Sequence, residues 1–445
     1  MPQPLKSGNN FMSQNPNLPK AAFYNPEAEN IIQYIKPYSK FTQSLLNWFV
    51  FFLAFPAVEL FGNSITFYLF IAAGLRIGAF WVGDYKGKIL LILFLLMALI
   101  STIFAPSMVR YPGYFASVKI LIQYAYWIFV GLFFITQKKR IDFLQISKWI
   151  FFGIIAATIG FYALRLKVSL SIFELTTGAS RNSYVFNLLS SIPLSFYFIV
   201  QKWGKKTALW MMPVFLMVML LTGGRSGALL IIIQLLLIST IIYPAFQKNV
   251  KILLAVFGLL YFISKSDASQ QYLDLLADQV ESVNPRFADL LRGEGDGDLS
   301  FDKSWLVRKL MVDKGKEIFK EYPIFGVGPN NFNYFDSKLL TLKDYDRLQG
   351  QDAEFFNSRS AHNSYIQLLS EMGLPGLLLM ILMCFIPVIF FFNKFFFDKI
   401  IIDYLPLVSL LGISIHFYAI AALTGAIAWM VIGLSWGILH INKKK

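Results

Sequence analysis

The chain has 445 residues, is 56% hydrophobic and 17% aromatic, holds only 15% charged residues, and has a mean hydropathy of +0.56. An apolar surplus of this size cannot be buried in one water-soluble core, and it excludes a disordered chain, a coiled coil and a secreted disulfide scaffold. The single Cys384 excludes an internal disulfide and a cysteine metal cluster, and the net charge of +14 admits nucleic acid, lipid headgroups or an anionic substrate until its placement is known.

Residues 1–43 carry Pro2, Pro4, Pro16, Pro19 and Pro26 among many Asn and Gln and lack the basic-then-apolar pattern of a cleaved signal. They read as a polar cytoplasmic tail with one short interfacial helix near 27–40. A membrane-spanning helix needs about 20 mostly apolar residues. Nine such stretches follow at 44–61, 64–82, 89–105, 115–136, 148–164, 184–200, 207–222, 226–243 and 250–264, and three more at 373–393, 401–421 and 424–441. With the N-terminus inside, the inner loops hold Lys86 and Lys88; Lys138, Lys139 and Arg140; Lys202, Lys205 and Lys206; Lys248 and Lys251; Lys394 and Lys399. Each inner loop thus has at least two basic residues, which predicts that both termini are cytoplasmic. The expected fold is an all-α polytopic membrane protein of about twelve transmembrane helices. Its parts are the tail 1–43, a nine-helix membrane region 44–264, an external loop domain 265–361, and a motif helix with the last three spans in 362–445.

Arginine departs from this lysine pattern. On the same assignment nine of 11 arginines are external: Arg110, Arg165, Arg181, Arg225, Arg286, Arg292, Arg308, Arg347 and Arg359. The guanidinium is a planar fork matched to phosphate and carboxylate oxygens, so an anionic ligand outside the membrane explains the bias. Pairing with the acids of the large external loop explains it equally well for any single arginine. In that loop, Tyr272, Leu275, Leu276 and Val280, then Trp305, Leu306, Leu310, Ile318 and Phe319, have helical spacing. The acidic glycine turn from Gly293 to Asp298 lacks the ligand spacing and distal Glu of a calcium loop, so no metal is expected there.

Three segments could carry chemistry. Thr222-Gly-Gly-Arg-Ser-Gly227 joins the seventh and eighth spans on the external side, and Arg225 at a helix mouth makes either an anion pocket or a tight turn with a snorkelling side chain. A helix from near Ser304, carrying Arg308, ends before Tyr322-Pro323 and the glycine turn of Gly326 and Gly328, which is not a dinucleotide fingerprint. His362-Asn-Ser-Tyr365 opens a short helix ending at Gly373, with Ser360 as expected N-cap, His362 in the first turn and Pro375 beyond. Asn363, Gln367, Ser370 and Glu371 share one face of that helix. A histidine at a helix start is a base or acceptor, though its commoner use is as a structural hydrogen-bonder. His416 and His440 lie in other spans, so a histidine metal site is not expected. No nucleophile motif or lysine-bearing phosphate loop is present, and the split positive charge argues against nucleic acid.

Taken jointly, these segments resemble the membrane-embedded O-antigen ligase and O-antigen polymerase superfamily of bacterial glycosyltransferases. The match rests on His362, Asn363, Gly373 and Gly376; on Pro323 to Phe332, with Ile324 where the family has Leu; on Arg308 fifteen residues before Pro323; and on Gly224-Arg225-Ser226-Gly227, where the order of small residues differs. The resemblance implies a cofactor-free transferase acting outside the cytoplasmic membrane on glycan carried by undecaprenyl diphosphate. It implies that Arg225 and Arg308 hold the donor diphosphate and that His362 serves the acceptor. Arg165 and Arg181 follow as second-rank donor contacts, and Asn363, Gly326, Gly328 and Glu371 as further substrate-binding candidates. Glu371 can orient His362 only if the short helix bends. The leading expectation is a ligase acting on lipid A-core, followed by a glycan polymerase and a protein O-oligosaccharyltransferase. A lipid-linked sugar transporter or flippase is the reading from a different class; the internal symmetry it should show is not evident.

Overall fold

The computed structural model describes residues 38–60, 63–77, 86–105, 114–136, 141–170, 173–177, 180–222, 225–253, 278–279, 303–337, 360–398, 400–420 and 425–441. Within them the chain is mostly helical: α1 (Lys40–Ala54), α2 (Ile65–Ile77), α3 (Lys86–Phe104), α4 (Tyr114–Thr136), α5 (Phe143–Ile159), α6 (Arg181–Leu221), α7 (Arg225–Ile242), α8 (Lys303–Glu321), α9 (Ser364–Phe397), α10 (Leu405–His416) and α11 (Ala426–Ile441). Polar caps start several of them. Asp142 Oδ1 accepts from the N–H of Leu144 (3.0 Å) and Gln145 (3.3 Å), and Ser39 and Ser180 do the same for α1 and α6. Among the described residues, five helical segments are long and apolar enough to cross a membrane: Gly87–Phe104, Lys119–Thr136, Phe143–Leu164, Arg181–Leu221 and Ser364–Phe397. Shorter apolar helices accompany them at Ile65–Gly74, Gly227–Ile242, Ile402–His416 and Ala426–Leu439. The molecule is an α-helical membrane protein.

Two of the expected spans share the single long helix α6. Its 41 residues run straight through the sequence of both, broken only at Gly204 (φ 85°, ψ 169°). The break is a reversal. Phe196 packs on Phe215 with ring centroids 5.5 Å apart, whereas 19 residues of straight helix span about 28 Å. Tyr162 meets both ends of α6, its hydroxyl donating to Val218 O (3.0 Å) and its ring lying 6.0 Å from that of Tyr184. The inner loop expected around Lys202, Lys205 and Lys206 is therefore a one-residue turn.

Elsewhere the helices are shorter than their apolar stretches. α1 stops at Ala54, and the residues expected to complete its span form β1 (Val58–Leu60). With β2 (Asn63–Ser64), β3 (Lys167–Ser169) and β4 (Phe173–Thr176) it makes an antiparallel sheet in the order β2-β1-β4-β3, pairing Glu59 with Ser64 and Val58 with Leu175. The sheet caps the ends of α1 and α5, and it was not foreseen. Of the expected span 250–264, only residues up to 253 are described. The tail through residue 37, the 272–280 helix (apart from 278–279) and the Gly293–Asp298 turn lie outside the described residues.

The main core is aromatic and aliphatic, with Phe49, Phe94, Phe133, Phe134, Phe196, Phe391 and Trp429 fully buried. A second, smaller cluster gathers Val307, Leu310, Met311 and Ile318 of α8 with Val327, Phe332, Phe335 and Ala361. That second cluster lies where the Arg308 helix, the glycine loop and the residues before the His362 helix meet.

Candidate functional site

The glycine loop and the histidine helix are one interlocked unit. α9 is broken at Gly373 (φ 64°, ψ −169°) into a short limb, 364–372, and a long limb, 374–397. The limbs fold back on each other. Tyr365 donates its hydroxyl to Ser414 O at 2.6 Å, and Cys384 of the long limb faces the Ser414 side chain, although 19 residues separate the two along α9. The break strips the end of the short limb of its intrahelical partners. The loop supplies replacements: Val327 N–H donates to Ser370 O and Gly328 N–H to Glu371 O, each at 2.9 Å, while Leu374 N–H donates back to Pro323 O at 2.9 Å. Close approach is what the glycines are for. A Cβ on Gly373 would stand 2.2 Å from Ile324 O, and one on Gly326 (φ 67°) would stand 2.4 Å from the Glu371 carbonyl carbon.

α8 packs across the short limb. Gly315 lies against Ile366, and Ser370 Oγ donates to Ile366 O (2.7 Å) and Gly315 O (3.3 Å). Lys314 is fully buried beside this contact with its ammonium 4.9 Å from the centre of the Phe332 ring. Burial lowers the Lys314 pKa to about 8, against the opposing pull of Asp336 and Glu317.

The other end of the short limb is pinned to α10. Ser364 N–H reaches Phe417 O (2.8 Å) and Ile420 O (3.0 Å), and Ser364 Oγ donates to Ile420 O (2.6 Å). α10 has only twelve residues, so this contact lies about 18 Å along the bundle from Leu405. The N-cap is Asn363, not Ser360: its extended backbone (φ −153°, ψ 110°) lets Oδ1 accept from Tyr365 N–H (3.0 Å) and Ile366 N–H (3.1 Å). His362 therefore precedes the cap in a left-handed conformation (φ 48°) instead of sitting in the first turn. Ser360 and Asn363 are both capping residue types, and the bonds of Ser364 to the end of α10 set the helix start just after Asn363.

Arg308 is exposed on α8 and makes no hydrogen bond or ion pair among the described residues. This rules out the acid-paired explanation for that arginine within those residues. Arg225 is the first residue of α7. A run of contacts connects the three motif segments. Gly227 sits against Val185 of α6; Phe186, next in sequence, lies over the His416 ring (centroids 6.4 Å, planes 22° apart) and near Phe417 (5.7 Å). Arg308 is close enough to His416 to act on it electrostatically. Val307 and Ala361, the neighbours of Arg308 and His362, share the smaller buried cluster.

His416 is the residue that sequence reasoning set aside. It is 3% exposed, and neither ring nitrogen has a hydrogen-bond partner among the described residues. Only its rarity among three histidines marked it in the sequence. Four expected substrate-binding groups turn out to be engaged within the fold. Asn363 caps the short limb, Gly326 N–H donates to Tyr322 O (3.1 Å), and Gly328 N–H donates to Glu371 O. Glu371 is 1% exposed, accepts from Gln367 Nε2 (3.0 Å) and faces the N–H groups of Asn330 and Phe332; the straight short limb keeps it from His362. Arg165 and Arg181 stand apart, flanking the β3–β4 hairpin. Arg165 (φ 42°) donates Nε–H to Phe161 O (3.2 Å), and Arg181 is exposed as the first residue of α6.

No protein of curated function matches the chain. Residues 207–381 match the family model described as O-antigen ligase. That segment holds Arg225, α8, the glycine loop and the folded-back limb of α9, and its match supports the resemblance to the O-antigen ligase and polymerase superfamily.

Proposed function

We propose that this protein moves a glycan from undecaprenyl diphosphate to an acceptor hydroxyl at the external face of the bacterial cytoplasmic membrane, with lipid A-core as acceptor. The twelve-span topology with both termini cytoplasmic belongs to the same proposal, because it sets Arg225, Arg308 and His362 on the outer side. The arginines hold the donor diphosphate by charge-assisted bonds. His362 accepts the acceptor hydroxyl's proton while that oxygen bonds to the anomeric carbon. The bond from that carbon to the diphosphate oxygen breaks, its electron pair leaves with undecaprenyl diphosphate, and attack from the opposite face inverts the carbon. The guanidinium groups offset the negative charge that grows on the leaving phosphate, so the scheme calls for no metal or cofactor. Arg165 and Arg181 are second-rank donor contacts. Asn363, Gly326, Gly328 and Glu371 serve the site by holding its shape.

The observation that carries this reading is Arg308: among the described residues it is an exposed guanidinium with no acid partner, within electrostatic reach of a buried His416 whose nitrogens have no partner there, on the helix packed against the His362 limb.

The test supplies purified protein with undecaprenyl-diphosphate glycan and, separately, lipid A-core, a second carrier-linked glycan, or a protein acceptor. Product on lipid A-core is expected, and His362→Ala should reduce it by at least about 10²-fold. A lengthened carrier glycan makes the protein a polymerase, and glycan on a protein hydroxyl makes it an oligosaccharyltransferase. Movement of intact carrier between leaflets with no transfer overturns the enzyme reading in favour of a flippase.

A further inference from the structure

A cavity of about 210 Å³ opens among α1, α2, α4, α6, the α10–α11 connection and α11, lined by Trp127, Asn187, Ser183, Thr66, Ser64 and Phe52 together with aliphatic groups and the Gly425–Ile427 backbone. Among the described residues its lining contains no charged residue. Asn187 is 8% exposed and Trp127 5%, and neither the amide nor the indole N–H has a hydrogen-bond partner among the described residues. The hydroxyls of Ser64 and Thr66 pair with each other at 2.8 Å, and Ser183 pairs with Ser180 at 2.7 Å, which leaves each pair with unused capacity. Buried polar groups without partners are costly, so an apolar occupant such as an acyl chain fits badly. An anion finds no cation among the described lining residues. A neutral ring rich in hydroxyls meets every requirement: one broad apolar face for Trp127, and donors and acceptors at its edge for the amide and hydroxyls.

The cavity also adjoins the motif unit. Ile420, one of its walls, is the residue whose carbonyl accepts both the N–H and the hydroxyl of Ser364, two residues after His362. We propose that this cavity is a binding site for a single neutral sugar unit of a glycan substrate. The proposal rests on the glycan-transfer reading and deepens it. The sugar can belong to the donor, whose diphosphate lies at the arginines, or to the acceptor.

Direct binding tests it without relying on transfer. Purified wild-type protein and Asn187→Leu, which keeps the side chain's bulk but removes its hydrogen-bonding groups, are titrated with undecaprenyl-diphosphate glycan, with undecaprenyl diphosphate alone, and with lipid A-core. Thr66→Val is the milder second variant should Asn187→Leu fail to fold. A loss of about tenfold in affinity for the glycan-bearing carrier, with the bare carrier unaffected, assigns the cavity to a donor sugar. The same loss confined to lipid A-core assigns it to an acceptor sugar. Unchanged affinity for all three ligands overturns the proposal and leaves a water-filled cavity, as does a wild-type protein that binds neither glycan. Normal binding losses in a protein that transfers nothing would instead sink the transferase reading and keep the sugar site.

Discussion

Two helices in this protein reverse direction at a single glycine, and they use the same backbone device differently. Gly204 (φ 85°, ψ 169°) turns α6 among Lys202, Lys205 and Lys206, and a Cβ there would meet nothing within 4 Å. Gly373 (φ 64°, ψ −169°) turns α9 inside a shell of backbone, with Ile324 O 2.2 Å and Pro323 O 2.8 Å from where its Cβ would be. Both occupy a backbone region open almost only to glycine. The difference lies in what the turn holds. At Gly204 the reversal simply packs two hydrophobic limbs together. At Gly373 it exposes the carbonyls of Ser370 and Glu371 so that the Pro323–Phe332 loop can bond them, and that bond network ties Arg308's helix to His362's. One reversal is scaffold, and the other is the frame of the candidate site.

The largest effect is expected at the second. Gly373→Ala adds a steric clash with fixed backbone to the left-handed strain, so it should destabilise by about 3 kcal/mol or more and abolish transfer. Thermal unfolding of the purified variant and a transfer assay check both. Equal stability with intact transfer would dissolve the distinction between the two turns.

A comparable effect on stability with the opposite sign is expected from Lys314→Met within the same unit. The folded Lys314 titrates near 8, below the roughly 10.4 of an exposed lysine, because its charge is buried. Below pH 8 the folded state carries the full cost of that buried charge; between pH 8 and about 10.4 the unfolded chain binds more protons, so stability rises with pH. Lys314→Met should therefore stabilise the protein by up to about 3 kcal/mol at pH 7. That advantage should fade as the pH is raised to 10, as measured by paired unfolding curves. An advantage independent of pH would mean that folding leaves the Lys314 pKa unchanged.

Gly204→Ala should cost the least, about 1–3 kcal/mol from strain alone, with transfer per folded molecule unchanged. A loss of activity there would mean that the α6 reversal also shapes the site.

Much of the scaffold was legible in the sequence because burial in an apolar bundle leaves long, uninterrupted hydrophobic runs. α3, α4, α7 and α11 stand close to their expected limits. The α8 helix was legible for a different reason: Leu310 and Ile318 recur at helical spacing between polar residues and end at Tyr322-Pro323. The short strands were not, since two to four residues cannot display an alternating pattern. The fold-back at Gly373 was half legible. Gly373 and Pro375 marked an interruption, but its direction depends on hydrogen bonds from a loop some 45 residues earlier in the chain. The N-cap was misassigned for the same kind of reason, because the contact with Phe417 and Ile420 places the helix start after Asn363. Arg308 and His362 were singled out from the sequence, and the structure sets them on two neighbouring, interlocked elements. The proximity of His416 to Arg308 depends wholly on tertiary packing.

The central claim is that Arg308 acts as a fork on the donor diphosphate, and Arg308→Lys tests it most directly because it keeps the positive charge and removes the paired donors. Transfer from undecaprenyl-diphosphate glycan by the purified variant, with its unfolding curve matching wild type, should fall by about 10²-fold or more. Transfer at the wild-type rate by the folded variant would contradict the account.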